Sequence, residues 1–184
     1  MKTDNQTLAK SVRWYRKWHR YIAIPALLFV AIMSITGLLL AWKDQLQLKP
    51  PSATSTSKNE ILLPIADIEN IAIKHIDSLG LSIEINRLDY RPKKGIAKIT
   101  FENHFTELQI DCFSGKILSQ KIRTADIIEM IHDGSIVDYL INSDGSFSKL
   151  FYSSTIALVL LFLSFSGFWL WKKPKQIKKS KKTI

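Results

Sequence analysis

Residues 22–42 read IAIPALLFVAIMSITGLLLAW, and these 21 positions hold no charged side chain. A helix of about 20 apolar residues, rising ~1.5 Å at each, covers the ~30 Å hydrocarbon core of a bilayer. Residues 151–171, FYSSTIALVLLFLSFSGFWLW, repeat the pattern over a further 21 uncharged positions. The chain therefore reads as two transmembrane α-helices, 22–42 and 150–171, with a water-exposed segment between them.

Charge placement gives that reading a direction. Lys2, Lys10, Arg13, Arg16, Lys17 and Arg20 precede the first run against Asp4 alone. Lys172, Lys173, Lys175, Lys178, Lys179, Lys181 and Lys182 follow the second with no acid. By the positive-inside bias both flanks, 1–21 and 172–184, are expected in the cytoplasm, with 43–149 in the periplasm of a bacterium and the chain in its inner membrane. Fifteen of the 16 acids lie between the runs beside 13 Lys or Arg, a net of −2 there. The overall +10 thus belongs to flanks that meet lipid headgroups, and it argues against nucleic-acid binding. Trp14, Trp18 and Tyr21 before the first run, Trp42 at its end, and Trp169 with Trp171 closing the second suit the two membrane interfaces. LLLAWKDQL, residues 38–46, has no small-residue cleavage site, so the first run is expected to remain as an anchor.

Between the spans the polarity pattern changes three times. Residues 43–60 contain LKPPSATSTSKNE, which buries little and reads as a linker. Pro64 suits a helix start, and Ile65, Ile68, Ala72, His75, Ile76 and Leu79 recur at helical spacing until Gly80. After Gly80 the period falls to two. Ile83 and Ile85 face one way and Leu88 with Tyr90 the other, which predicts a bulge near Asn86 and Arg87. Ala97, Ile99 and Phe101 alternate with Lys98, Thr100 and Glu102; Asn103 and His104 turn the chain. Leu108, Ile110 and Cys112 then alternate with Glu107, Gln109 and Asp111, and Ser114-Gly115 leads into a strand over 116–123. The expected fold of 61–123 is α+β, a helix packed on a small antiparallel sheet, inserted between the two transmembrane helices. A short helix capped by Thr124 is expected over Ala125–His132, and 124–149 connects it to the second span. Cys112, the single cysteine, reads as a small buried hydrophobe and excludes an intrachain disulfide.

WHRYIA before the first span, ITGLLLAWK at its end, DCFSGKIL in the sheet, IHDGSI after it and SGFWLWKKP at the exit occur in this order across residues 14–174. In that order they resemble the PepSY-associated transmembrane family, in a short two-span form with a PepSY-like domain. The resemblance implies two kinds of function. Larger, four-span relatives include ferric-siderophore reductases that hold haem on paired histidines, and the matching positions here are His19 in WHRY and His132 in IHDG. Other PepSY domains are thought to restrain peptidases or to act as sensors. The chain has half the spans of the reductases, and a homodimer would restore the number, pairing each histidine with its copy around a haem b.

The other two histidines read as structural: His104 as a solvated turn residue and His75 as a half-buried packing residue on the helix. His19 and His132 flank the first span on opposite sides, about 21 helical residues or ~30 Å apart, so they cannot ligate one iron within one chain. As plain interface residues, His19 would sit among Trp18 and Tyr21 and His132 at a helix end. As ligands, with Arg16, Arg20 or Asp133 nearby to tune them, they would serve electron transfer to a ferric chelate or another redox partner in iron acquisition. No flavin or nicotinamide fingerprint is present, so the electron donor would be a separate protein or the quinone pool. The alternative is a tethered PepSY module that binds or regulates a periplasmic peptidase, transporter or sensor, without enzyme activity of its own. Hydrolysis lacks metal-ligand spacing or a nucleophile elbow, and transport lacks an intramembrane charge; enzyme status stays open.

Overall fold

The computed structural model of the protein describes residues 2–55, 57, 61–143 and 145–182, with side chains within 7–175. Lys58, Asn59 and Glu60 of the expected linker, Asp144 of the Asn142–Gly145 turn, and the side chains of Lys2, Asp4, Lys178, Lys179, Lys181 and Lys182 lie outside the described residues. The chain divides into two compact units, residues 1–37 with 130–184, and residues 38–129.

The first unit is helical. Helix α1 runs Lys2–Ala41, with Pro25 inside it, and helix α5 runs Phe147–Lys182, with Pro174 inside it. Both are longer than the apolar runs. The polar stretch 1–12 shows no helical repeat, so the sequence predicts a frayed start with the first helix beginning near Val12; in the structure α1 instead extends to Lys2, since no Gly or Pro precedes Pro25 to stop it. Stretches 7–41 and 147–175 are long and apolar enough to cross a membrane. Leu27, Leu28, Leu158 and Phe165 are exposed on them, as a lipid-facing surface requires. Between α3 (Thr124–Asp133) and α5 lies a further short helix, α4, at Ile136–Leu140, which the sequence pattern did not anticipate. Its Asp138 accepts hydrogen bonds from the N–H groups of Ser148 (3.0 Å) and Lys149 (3.1 Å), placing a carboxylate on the positive end of α5.

The second unit is the expected α+β fold. Helix α2 (Ile65–Asp77) follows Pro64 and ends before Gly80, whose φ is +69°. Strands β1 (Ile85–Arg91), β2 (Ile96–Phe101), β3 (Thr106–Asp111) and β4 (Ile117–Ile122) form an antiparallel sheet in the order β1-β2-β3-β4. The predicted bulge is present, since the register with β2 shifts between Ile85 and Arg87. Ile68, Ala72 and Ile76 of α2 pack on Ala97, Ile99 and Phe101 of β2 and on Leu108, Ile110 and Cys112, all the apolar positions that alternation selects. Burial pushes the Cys112 thiol up to about 11, so it stays protonated among these hydrocarbons.

The polar face of the sheet is buried as well. Chain 50–55 lies across it: Lys98 Nζ donates to the Pro50 carbonyl (3.4 Å), Gln109 Nε2 to the Pro51 carbonyl (2.9 Å), and the Ala53 N–H to Gln109 Oε1 (2.7 Å). Residues read as a linker thus form the second layer of the domain. Beneath them Glu107, fully buried, pairs with Lys98 (3.1 Å) and Arg123 (2.5 Å). Arg123 also forks onto Asp126 of α3. At the far end Asp111 accepts the Ser55 hydroxyl and the N–H groups of Phe113 (2.9 Å) and Ser114 (3.0 Å), which shapes the DCFSG turn. His104 corrects its solvated-turn expectation: its ring stacks on Phe101 at 5.0 Å and its Nε2 bonds the Ser82 carbonyl at 3.0 Å, because the turn is long enough (residues 102–105) to fold back. His75 is half-buried and bonded to Gln120 (2.8 Å).

Two measurements check this second layer. Replacing Glu107 by Ala leaves Lys98 and Arg123 buried without their carboxylate, and an unfolding titration of the full chain is expected to show a loss of about 3–5 kcal/mol. Burial pushes the Asp111 carboxyl up, but the bonds from Ser55, Phe113 and Ser114 outweigh it and hold the group below its ordinary 3.8. Its contribution is therefore complete above 3.8 and lost as pH falls through the lower folded value. The stability advantage of the wild type over Asp111→Asn is expected to shrink between about pH 5 and about pH 2.

Candidate functional site

Histidines 19 and 132 lie at opposite ends of the helical unit, each half-buried against a hydroxyl on a membrane-crossing helix. On α1, His19 Nδ1 is 2.7 Å from Ser166 Oγ of α5. At the end of α3, His132 Nδ1 is 2.9 Å from Thr36 Oγ1 of α1. Ser166 and Thr36 are themselves buried, at 2% and 8% exposure, which leaves no room for water to compete with the imidazoles.

A hydroxyl has one proton to donate. Thr36 Oγ1 lies 2.7 Å from the Ile32 carbonyl, and Ser166 Oγ lies 3.3 Å from the Leu163 carbonyl but 2.7 Å from His19. Where the hydroxyl proton goes to the helix carbonyl, the oxygen accepts from Nδ1–H and the imidazole lone pair is left on Nε2; the short Thr36–Ile32 bond favours this arrangement at His132. Neither Nε2 has a hydrogen-bond partner among the described residues. This is the state in which an imidazole binds a metal, with the second nitrogen fixing the ring.

A glycine lies beside each ring. A Cβ at Gly37 would lie 3.3 Å from His132 Cε1 and crowd the ring, whereas one at Gly167 would lie 3.6 Å from His19 Cε1, in ordinary contact. The Gly37-Ala41 pair suggests in sequence a close helix partner; what approaches Gly37 is an imidazole. Each helix thus supplies a Ser-x-(Ser/Thr)-Gly segment, SITG at 34–37 and SFSG at 164–167, as a platform for a histidine of another element. The first serine of each is bonded back to its own helix, Ser34 to the Val30 carbonyl (2.7 Å) and Ser164 to the Leu160 carbonyl (2.8 Å).

Surrounding groups hold the ends in place. Asp133, next to His132, pairs with Lys149 at 2.7 Å and accepts both the N–H (2.9 Å) and hydroxyl (2.6 Å) of Ser135, while Ser153 donates to its carbonyl at 3.3 Å. Burial pushes its carboxyl up, yet the Lys149 and Ser135 bonds prevail and hold it below its ordinary value. Asp133 therefore ties α3 to α5 rather than contacting the imidazole. Arg16 and Arg20 are exposed and form no ion pair with the described residues. Near His19, Trp169 stacks at 5.5 Å on Tyr15 and lies under Lys173, and its buried Nε1–H has no acceptor among the described residues.

Thr36 and His19 are 17 positions apart on α1, about 25 Å at 1.5 Å per residue, so the two imidazoles form two separate sites. Among the described residues no three His, Cys, Asp or Glu converge on a bare metal ion. The histidines are legible in the sequence, but Thr36, Gly37, Ser166 and Gly167 as their supports are not; the repeated Ser-x-(Ser/Thr)-Gly is the signal that points to them.

Thr36→Val keeps the side-chain shape and removes the acceptor. In 15N spectra of imidazole-labelled protein, His132 is expected to shift from the Nδ1–H toward the Nε2–H tautomer in T36V, with His19 unchanged; both unchanged would sink the assigned role of Thr36.

Comparison with known proteins agrees with the motif order. The model of the PepSY-associated TM region family matches residues 16–183, which include both histidines, both Ser-x-(Ser/Thr)-Gly segments and the sheet. No curated protein sequence matches the chain. A match over nearly the whole length, with two helices long enough to cross a bilayer, establishes that this membrane protein belongs to the PepSY-associated TM region family.

Proposed function

We propose that the protein is a haem-binding electron-transfer component of the bacterial inner membrane, working as a homodimer in the reduction of ferric chelates such as siderophores. The observation that carries this reading is the pair of imidazoles whose Nδ1 lies against the hydroxyl of Ser166 or Thr36 and whose Nε2 has no partner among the described residues. Those residues fit the requirements of an axial ligand: a lone pair on one nitrogen, and a ring fixed through the other against glycine.

In the dimer His19 would pair with its copy near the cytoplasmic face and His132 with its copy near the periplasmic face, both termini being cytoplasmic. Haem b, when bound, supplies a one-electron carrier near each face of the membrane. The chain's own part is to orient. Thr36 and Ser166 hold the rings through Nδ1, Gly37 and Gly167 lie beside them, and the Asp133–Lys149 pair fixes the end of α3. The Trp169 Nε1–H offers a buried donor one turn from Ser166.

A second reading has its own support. The α+β unit carries an independent core and could engage a periplasmic peptidase, transporter or sensor with the helices as tethers. Such a module tolerates His19→Ala; the electron-transfer protein does not.

Visible spectra of detergent-solubilised protein from haem-replete cells, oxidised and dithionite-reduced, separate the two. Low-spin bands are expected at about one haem per protomer, falling to about half in H19A and in H132A and to none in the double variant, as two-fold pairing requires. A colourless wild type would overturn the proposal and leave the tethered module.

A further inference from the structure

A recess of about 330 Å³ opens on the polar side of the sheet, and its wall is cationic. Lys49, Arg87, Arg91, Lys98 and Arg123 line it, against Asp89 alone. Some of that charge is spoken for. Lys98 and Arg123 share Glu107, Arg123 forks onto Asp126, and Arg91 is held by Asp89 (2.9 Å from Nε) and by the Ser52 hydroxyl (2.9 Å). The side chains of Lys49 and Arg87 form no ion pair or hydrogen bond with the described residues, although Arg87 acts on Asp89 at longer range. Five cations thus meet three acids, and Lys49 and Arg87 are the two without a bonded acid.

Two further features fit a ligand. Thr100 lies on the same wall, and its hydroxyl oxygen is buried with no hydrogen-bond partner among the described residues. Natural interiors satisfy such atoms, with a protein group or with something bound. A neighbouring recess of about 410 Å³ is also lined by Lys49, Arg91 and Lys98, with Asp44 as its further ionisable residue, so the same three cations border both recesses.

We infer that this recess is a binding site for a small oxyanion bearing two or more negative charges, of the polycarboxylate or phosphate class. Lys49 and Arg87 supply the uncompensated charge, and the already anchored Arg91 and Lys98 supply a fixed floor on which little ordering is needed. Two sources share this chemistry. Lys49 follows the last residue of α1, Ala41, through turns closed by Leu46 N–H to Trp42 (2.9 Å) and Leu48 N–H to Lys43 (2.9 Å), so a lipid phosphomonoester headgroup, which like inorganic phosphate can carry a second charge, is one source and a soluble anion the other. The site is built within residues 38–129 and does not depend on haem.

The test is calorimetric titration of citrate, and separately of inorganic phosphate, into the full chain in phosphatidylcholine nanodiscs, with acetate as the singly charged comparator. Citrate is expected to saturate a single site, to bind about tenfold or more tightly than acetate, and to weaken about tenfold in each of Lys49→Gln and Arg87→Gln, while thermal unfolding of both variants stays that of the wild type. Repeating the titration in nanodiscs containing phosphatidic acid assigns the source: competitive weakening of citrate supports the site with a headgroup as its occupant, and unchanged affinity supports it with a soluble anion. No saturable binding of citrate or phosphate, acetate binding as tightly as citrate, or affinity unchanged in both variants would overturn the inference.

Discussion

Hydrocarbon offers no partner to a polar atom, and that one constraint shapes both ends of the helical unit. On the membrane-crossing helices Ser34, Thr36, Ser164 and Ser166 each lie against a carbonyl of their own helix. At Thr36 and Ser166 the same oxygen also meets an imidazole Nδ1, and the ring's Nε2 is left without a partner among the described residues. A glycine stands at the next position in each case, and at Gly37 an added Cβ would crowd the His132 ring.

The α+β unit solves a different problem. A four-stranded sheet of about six residues per strand has two faces to cover, and α2 covers only one. The second is closed by a polar arrangement in which Glu107 pairs with two cations and the proline-rich segment 50–55 supplies carbonyl acceptors. Pro50 and Pro51 suit this role because they have no N–H to satisfy, while their carbonyls stay free to accept. The charge that this floor cannot absorb gathers at Lys49 and Arg87.

Much of this was legible from residue order alone, for a physical reason. Span length, flank charge and side-chain period are local properties, so the two membrane helices, α2, the bulge at Asn86 and the nine core positions follow from spacing without knowledge of what packs on what. His19 and His132 stand out the same way, as the two histidines placed beside a span. What the sequence by itself determined, then, is the set of elements and which face of each is apolar.

Only the tertiary structure decided how elements far apart in the chain share polar atoms. His19 and Ser166 are 147 residues apart, and His132 and Thr36 are 96 apart. No periodicity encodes which hydroxyl meets which imidazole. The same holds for the 50–55 segment, whose composition describes a linker and whose carbonyls become necessary only once Lys98 and Gln109 lie beneath them. Hydrogen-bond complementarity is a property of pairs, and pairs exist only after the chain has folded.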